Sequence, residues 1–336
     1  MAKKWVKKYL SLIIFLFFLV LTVNYIMDPF WTFNHSYNFN SVQKGTNERQ
    51  QKSNYIYFTD KKFDTLLIGS SRTTYMNPYF FDNFKVFNYS TVAMRPQEYP
   101  VFLDFAIKES KQPIETIILA VDFFGYLDNK LFKYNEGPKI IENTKSFLYR
   151  WKTLLSFDAL NTSFKNLRDY IKDEPDRYTR DMVKSFEKRE PASIEGQIIV
   201  DIEDYKNEAY SGKPNINYFN ILNGVKEEYN DKKFIIYTTP VSYPLFQEMV
   251  RLGHEENYKN WLRTLVEIFG EVHHFMYINS VTKDYTKHFG DSNHVYPETN
   301  KIIADTITQK RNRIEDFGII LNKNNIEFFL NKNNLK

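Results

Sequence analysis

With 336 residues, 43% of them hydrophobic, the chain is long enough for one large domain plus an anchor, or for two small domains, with a sizeable core. The net charge of +4 is small and much of it sits in Lys3, Lys4, Lys7 and Lys8, so no nucleic-acid partner is supported. The absence of cysteine excludes a thiol nucleophile, a thiolate metal site and a disulfide framework.

No charged residue occurs from Tyr9 to Met27, and Leu10 to Leu21 is almost wholly apolar. About 20 such residues cross the hydrocarbon of a bilayer as a helix. The four lysines precede this run and Asp28 follows it, so residues 1–8 read as a cytoplasmic basic tail, 9–27 as a transmembrane anchor, and 28–336 as extracytoplasmic. Trp5, Tyr9 and Tyr25 fall at the interfaces. A cleaved signal peptide needs a small-residue cleavage site after the apolar run. The next alanine after Ala2 is Ala93, and the run leads straight into Asn24-Tyr25-Ile26-Met27-Asp28-Pro29-Phe30, so an uncleaved anchor is expected.

Residues 28–60 are polar and aromatic and read as a stalk and entry segment. An alternation of strand and helix patterns follows. Strands are expected at 64–69, 85–89, 116–122, 233–238 and 273–278. Helices are expected at 97–108, 216–229, 243–251, 256–268 and 297–310. This order implies an α/β fold with a five-stranded parallel sheet covered on both faces. Residues 126–215 are charged, mostly helical in pattern, and interrupt the alternation as an insertion or lid. Residues 312–336 read as a polar C-terminal tail.

Two short motifs carry chemistry. Leu66-Leu67-Ile68-Gly69-Ser70-Ser71-Arg72 ends a buried strand in a glycine and two serines. A serine there stands at the carboxyl edge of a parallel sheet, where open α/β folds bind ligands. The plainer alternative is a serine capping the next helix. The second motif is Asp291-Ser292-Asn293-His294, just before a Pro-started helix. Its carboxylate can orient the imidazole, and the imidazole can take a serine proton.

In this order, Gly69-Ser70-Ser71 and Asp291-Ser292-Asn293-His294 resemble the first and last sequence blocks of the SGNH (GDSL-like) hydrolase superfamily. The resemblance covers residues 61–311 apart from the insertion. It implies a flavodoxin-like three-layer α/β/α fold, with Ser71 as nucleophile and Asp291 and His294 completing a triad. Ser70 stands where that family usually has Asp. With its membrane anchor, the chain looks like the D-alanyl-transfer and polysaccharide O-acetylation members. That likeness implies a serine acyl-esterase or O-acyltransferase acting on cell-envelope glycan or polymer, with a membrane-bound O-acyltransferase as its acyl-donating partner and no cofactor.

The chain also departs from the family pattern. The second block normally brings a glycine after the second strand, whereas Phe87-Asn88-Tyr89-Ser90-Thr91 has none. Ser90 N–H is then the substitute oxyanion donor, with Asn88 beside it. In the third block Asp122 stands where a polar donor belongs, and a carboxylate repels an oxyanion unless it is protonated or turned away. Arg72 reads either as a binder of an anionic substrate or as a member of a salt bridge. These departures fit acyl transfer, and equally a non-catalytic envelope scaffold that binds glycan. His273, His274 and His288 hint at a metal, but adjacent strand residues point to opposite faces, and no metal is expected.

Overall fold

The computed structural model describes residues 2–128, 136–309 and 314–332. Parts of the expected insertion (129–135) and tail (312–313 and 333–336) lie outside the described residues. The chain forms two compact units, Met1–Lys61 with Pro138–Asp181, and Lys62–Gly137 with Met182–Lys336.

The first unit corrects the reading of 28–60 as a stalk. It contains the helices Ala2–Met27, Glu48–Phe58 and Phe157–Ile171. Strand Val42–Lys44 pairs antiparallel with Arg177–Thr179. The Asn- and Gln-rich stretch suggests solvent, yet its amides are spent inside. Gln43 Nε2 donates to Met27 O (2.5 Å) and Gln43 Oε1 accepts from Trp31 Nε1 (3.0 Å). Gln50 Nε2 donates to Asn54 Oδ1 (2.8 Å) and Thr144 Oγ1 (2.7 Å). Gln51 and Asn54 donate to the carbonyls of Pro29 and Phe30, both at 2.9 Å. These buried amides, with partners in place, lie beside a small apolar core of Trp31, Tyr55, Ile56 and Tyr178. Lys3–Met27 is long and apolar enough to cross a membrane.

The second unit is built on a mixed six-stranded sheet. Its strands are β1 (Thr65–Ile68), β2 (Val86–Asn88), β3 (Thr116–Val121), β4 (Lys233–Thr238), β5 (Glu271–His274) and β6 (Ile319–Asn322). Their spatial order is β2-β1-β3-β4-β5-β6. The first five are parallel to their neighbours, while β6 runs antiparallel to β5. The expectation of five wholly parallel strands therefore misses one. Ile319-Ile320-Leu321 is a short apolar run inside Asn-rich surroundings, and it acquires strand character by pairing, with Ile320 opposite His273. Phe317, Leu321, Phe329 and Leu330 are buried, so the described residues of the expected tail are folded.

Strands β1 and β3 are buried at every position, as continuous apolar runs in parallel sheets are. Leu67, Ile118, Ala120, Ile235 and Tyr237 share one face and pack with Ile303, Ala304 and Ile307 of helix Pro297–Ile307. Leu66, Ile117, Leu119 and Ile236 alternate to the opposite face and are equally buried. β1 lies between β2 and β3, so successive connections leave it in opposite directions. Such a switch point opens a crevice at the carboxyl ends of the strands.

His274, at the end of β5, is fully buried. Its Nδ1 lies 2.8 Å from Thr238 Oγ1 and its Nε2 2.7 Å from Tyr258 Oη. Both ring nitrogens are thereby used. Burial pushes the imidazole down from 6.5 to about 3. Between those values the unfolded chain takes up a proton that the folded chain refuses. Stability therefore rises with pH through the window and is lost as pH falls from about 6.5 toward about 3. The slope contributed is at most about 1.4 kcal/mol per pH unit. His274→Gln is expected to remove that slope from denaturant unfolding measured between about pH 4.5 and 6.5. Equal slopes for the two proteins in that interval would show that the acid sensitivity arises elsewhere.

Candidate active site

β1 delivers the chain to the crevice at Gly69. A side chain there would put its Cβ 2.7 Å from Ala120 Cβ and 2.8 Å from Thr73 Oγ1, so only glycine lets the turn press against β3. Ser70 caps the short helix Ser71–Thr74, its Oγ accepting from Arg72 N at 3.3 Å. Ser70 is buried, and Ser71, one residue on, is partly exposed. The two serines thus divide between capping and facing the crevice.

The second half of the site is the loop after helix Tyr285–His288. A bridge between Phe289 and Val295 closes it, with Gly290 N donating to His294 O (3.0 Å). Gly290 admits the Phe186 ring, which would lie 2.3 Å from an added Cβ. Asp201, on helix Pro191–Asn207, accepts from Ser292 N (3.0 Å), and Ser242 N donates to Ser292 O (2.8 Å). The loop is therefore held from both sides.

His294 Nε2 lies 3.0 Å from Ser71 Oγ, and His294 Nδ1 lies 2.7 Å from Asp291 Oδ2. The other Asp291 oxygen accepts from the backbone N–H groups of Asn293 (2.9 Å) and His294 (2.8 Å). Burial pushes the Asp291 carboxyl up, but the His294 imidazole and these N–H donors outweigh it and hold the group down at about 2. It is a carboxylate at neutral pH and fixes the imidazole orientation. The Tyr75 ring meets His294 edge-on at 5.5 Å and packs on Phe186 at 4.5 Å. A cavity of about 160 Å³ opens beside Ser71, lined by Val92, Phe124, Tyr205, Asp204 and Glu208 among others.

The four other residues singled out in the sequence are engaged internally, which corrects their reading as oxyanion or substrate contacts. Asn88 Nδ2 donates to Thr73 O and Met76 O, both at 2.9 Å, and clamps the helix that starts at Ser71. Its Oδ1 accepts from Ser90 N at 3.1 Å, so that donor is occupied. Asp122 Oδ1 accepts from Arg72 Nη1 at 3.3 Å and from Thr239 Oγ1. Arg72 Nη1 also donates to Thr239 Oγ1 (3.2 Å) and Nη2 to Tyr205 Oη (2.9 Å), with the guanidinium over the Phe124 ring at 5.2 Å. Arg72 and Asp122 side chains are each 2% exposed, out of reach of a substrate. Burial pushes the guanidinium down, but Tyr205 and Asp122 outweigh it and the group stays charged. Burial also raises the Tyr205 phenol, which meets the guanidinium as a neutral acceptor.

Sequence reasoning passed over Tyr75, Phe186, Asp201, Tyr205 and Thr239. Thr239 had a signal, since Thr239-Pro240 directly follows β4 at the same sheet edge. Asp201 and Tyr205 sit four apart on an ordinary charged helix and carried none. Neither a protein-family model nor a curated protein matches the chain.

Proposed function

We propose that this chain is a serine acyl-esterase or O-acyltransferase of the SGNH type, with a flavodoxin-like α/β/α domain and an N-terminal anchor in the cytoplasmic membrane. The observation that carries the reading is the Ser71–His294–Asp291 relay, at 3.0 and 2.7 Å. Ser71 Oγ attacks the ester carbonyl carbon as its proton passes to His294 Nε2. The tetrahedral oxyanion collapses, the ester C–O bond breaks, and His294 returns the proton to the leaving alkoxide. The acyl group is then held on Ser71. Water or a sugar hydroxyl attacks next, giving its proton to His294, and Ser71 is released as the hydroxyl. Asp291 stabilises the imidazolium formed in each half-reaction. The Ser71 N–H is at the first position of its helix turn, where it has no partner within the helix, and serves as the oxyanion donor in this reading.

The small cavity beside Ser71 suits a short acyl group, with the bulk of an envelope glycan or polymer outside it. The lysines before the apolar helix support an inside N-terminus and an extracytoplasmic domain. A membrane-bound O-acyltransferase is the acyl donor in this reading, by analogy with the resembling proteins. The internal bonds of Asn88, Ser90 and Asp122 favour a second reading, a non-catalytic scaffold that binds glycan. A fluorophosphonate probe on the purified full-length protein separates them. Covalent labelling mapped to the peptide containing Ser71 is expected. An unlabelled, folded protein would leave the scaffold.

A further inference from the structure

Helix Phe157–Ile171 is amphipathic the wrong way round for a water-soluble unit. Its buried residues are small or polar: Ala159, Thr162, Ser163, Asn166 and Asp169. Its large apolar residues Phe157, Phe164 and Ile171 are 80%, 57% and 74% exposed, and Leu167 is exposed beside them. At 100° per residue, Phe157, Leu160, Phe164, Leu167 and Ile171 form one stripe roughly 80° wide. Lys165, Arg168 and Lys172 border that stripe, and Phe147, Leu148, Trp151 and Leu155 extend the exposed apolar surface just before the helix.

The structure indicates what covers this face. Asn24 lies in the last turn of Ala2–Met27, about 5 Å along the axis from its end. Its Nδ2 donates to Leu154 O (2.9 Å) and Ser156 O (3.2 Å), and its Oδ1 accepts from Ser163 Oγ (3.1 Å). The buried polar face of Phe157–Ile171 is thereby fastened to the outer end of the helix that can cross a membrane. A helix pinned at that depth lies where hydrocarbon gives way to headgroups. There, exposed Phe, Leu, Ile and Trp enter the acyl boundary, and flanking Lys and Arg meet lipid phosphates.

We propose that Phe157–Ile171 is a second membrane element, lying in the plane of the bilayer interface with its Phe157–Phe164–Ile171 stripe in lipid. The proposal rests on Ala2–Met27 spanning the membrane. Because the chain lacks cysteine, single spin labels can be placed in the full-length protein. Phe157→Cys, Phe164→Cys and Ile171→Cys are compared with Asp158→Cys and Lys165→Cys on the exposed charged flank of the helix, and with Leu16→Cys in the span. The protein is reconstituted in vesicles of phosphatidylethanolamine and phosphatidylglycerol, and collision with oxygen and with a water-soluble nickel chelate is measured. Labels at 157, 164 and 171 are expected about 5–10 Å below the phosphates, with an oxygen-to-nickel ratio several-fold above that at 158 and 165. Ratios equal to those at 158 and 165 would overturn the proposal, since the face would be in water. Shielding from both collision partners would also overturn it and would identify a second copy of the chain as the cover. Leu16 in lipid with 157, 164 and 171 in water sinks the interfacial helix alone. Leu16 in water sinks the spanning helix as well.

Discussion

Ser71→Ala is expected to lower hydrolysis of a simple activated ester by about 10³-fold or more, and His294→Ala by a similar factor. The two losses should not multiply in the double variant. Ser71 Oγ and His294 Nε2 are 3.0 Å apart, and in the proposed mechanism they act as one unit, so removing either leaves the other without a role. The decisive comparison is Ser70→Ala. Ser70 Oγ caps the helix by accepting from Arg72 N, so its loss costs about 1 kcal/mol of stability and little rate. Steady-state kinetics on folded variants, with unfolding curves beside them, measure both. Ser71→Ala with near wild-type turnover would sink the triad. A loss in Ser70→Ala as large as in Ser71→Ala would move the nucleophile one residue back.

Asp122→Ala is expected to destabilise the chain by about 3–5 kcal/mol in denaturant unfolding. The Arg72 guanidinium cannot shed its proton, and it is buried with Asp122 as its ion-pair partner and Thr239 and Tyr205 as neutral acceptors. Removing the carboxylate leaves that charge uncompensated in a place water does not reach. The double variant Arg72→Met, Asp122→Leu should recover much of the loss, because replacing a buried ion pair by apolar groups of similar volume is often neutral. A loss below about 1 kcal/mol for Asp122→Ala would mean that the guanidinium is not held as its bonds indicate.

The parts of this protein that could be read from the sequence are those decided by neighbours along the chain. A run such as Thr65-Leu66-Leu67-Ile68 has no polar face to offer, so it becomes an interior strand wherever a sheet forms. The periodic segments at 243–251 and 255–269 are helices for the same local reason. Asp291 and His294 were recognisable because one loop places both, through N–H groups only two and three residues from the carboxylate. The uncharged run from Tyr9 to Met27 follows from composition alone.

Tertiary structure decided everything that depends on a distant partner. Strand β6 exists because β5 offers its edge, and three apolar residues among asparagines do not announce that. Arg72 meets Asp122 fifty positions away and Thr239 across 167 positions, so its choice between substrate and scaffold was open in the sequence. Asn88 ends β2 and Ser90 follows it, where the sequence led us to expect oxyanion donors, yet Asn88 donates to Thr73 O and accepts from Ser90 N, so both are engaged internally. In the amide-rich 28–60 segment the side chains are satisfied by carbonyls about 22 to 24 positions back in the same segment, those of Pro29 and Phe30, and by the Thr144 hydroxyl from a distant part of the unit. Residue type and spacing determine backbone state and which chemistry is present. Which donor meets which acceptor is settled only when chain segments far apart in sequence are packed, since a buried polar group must find its partner wherever the fold supplies one.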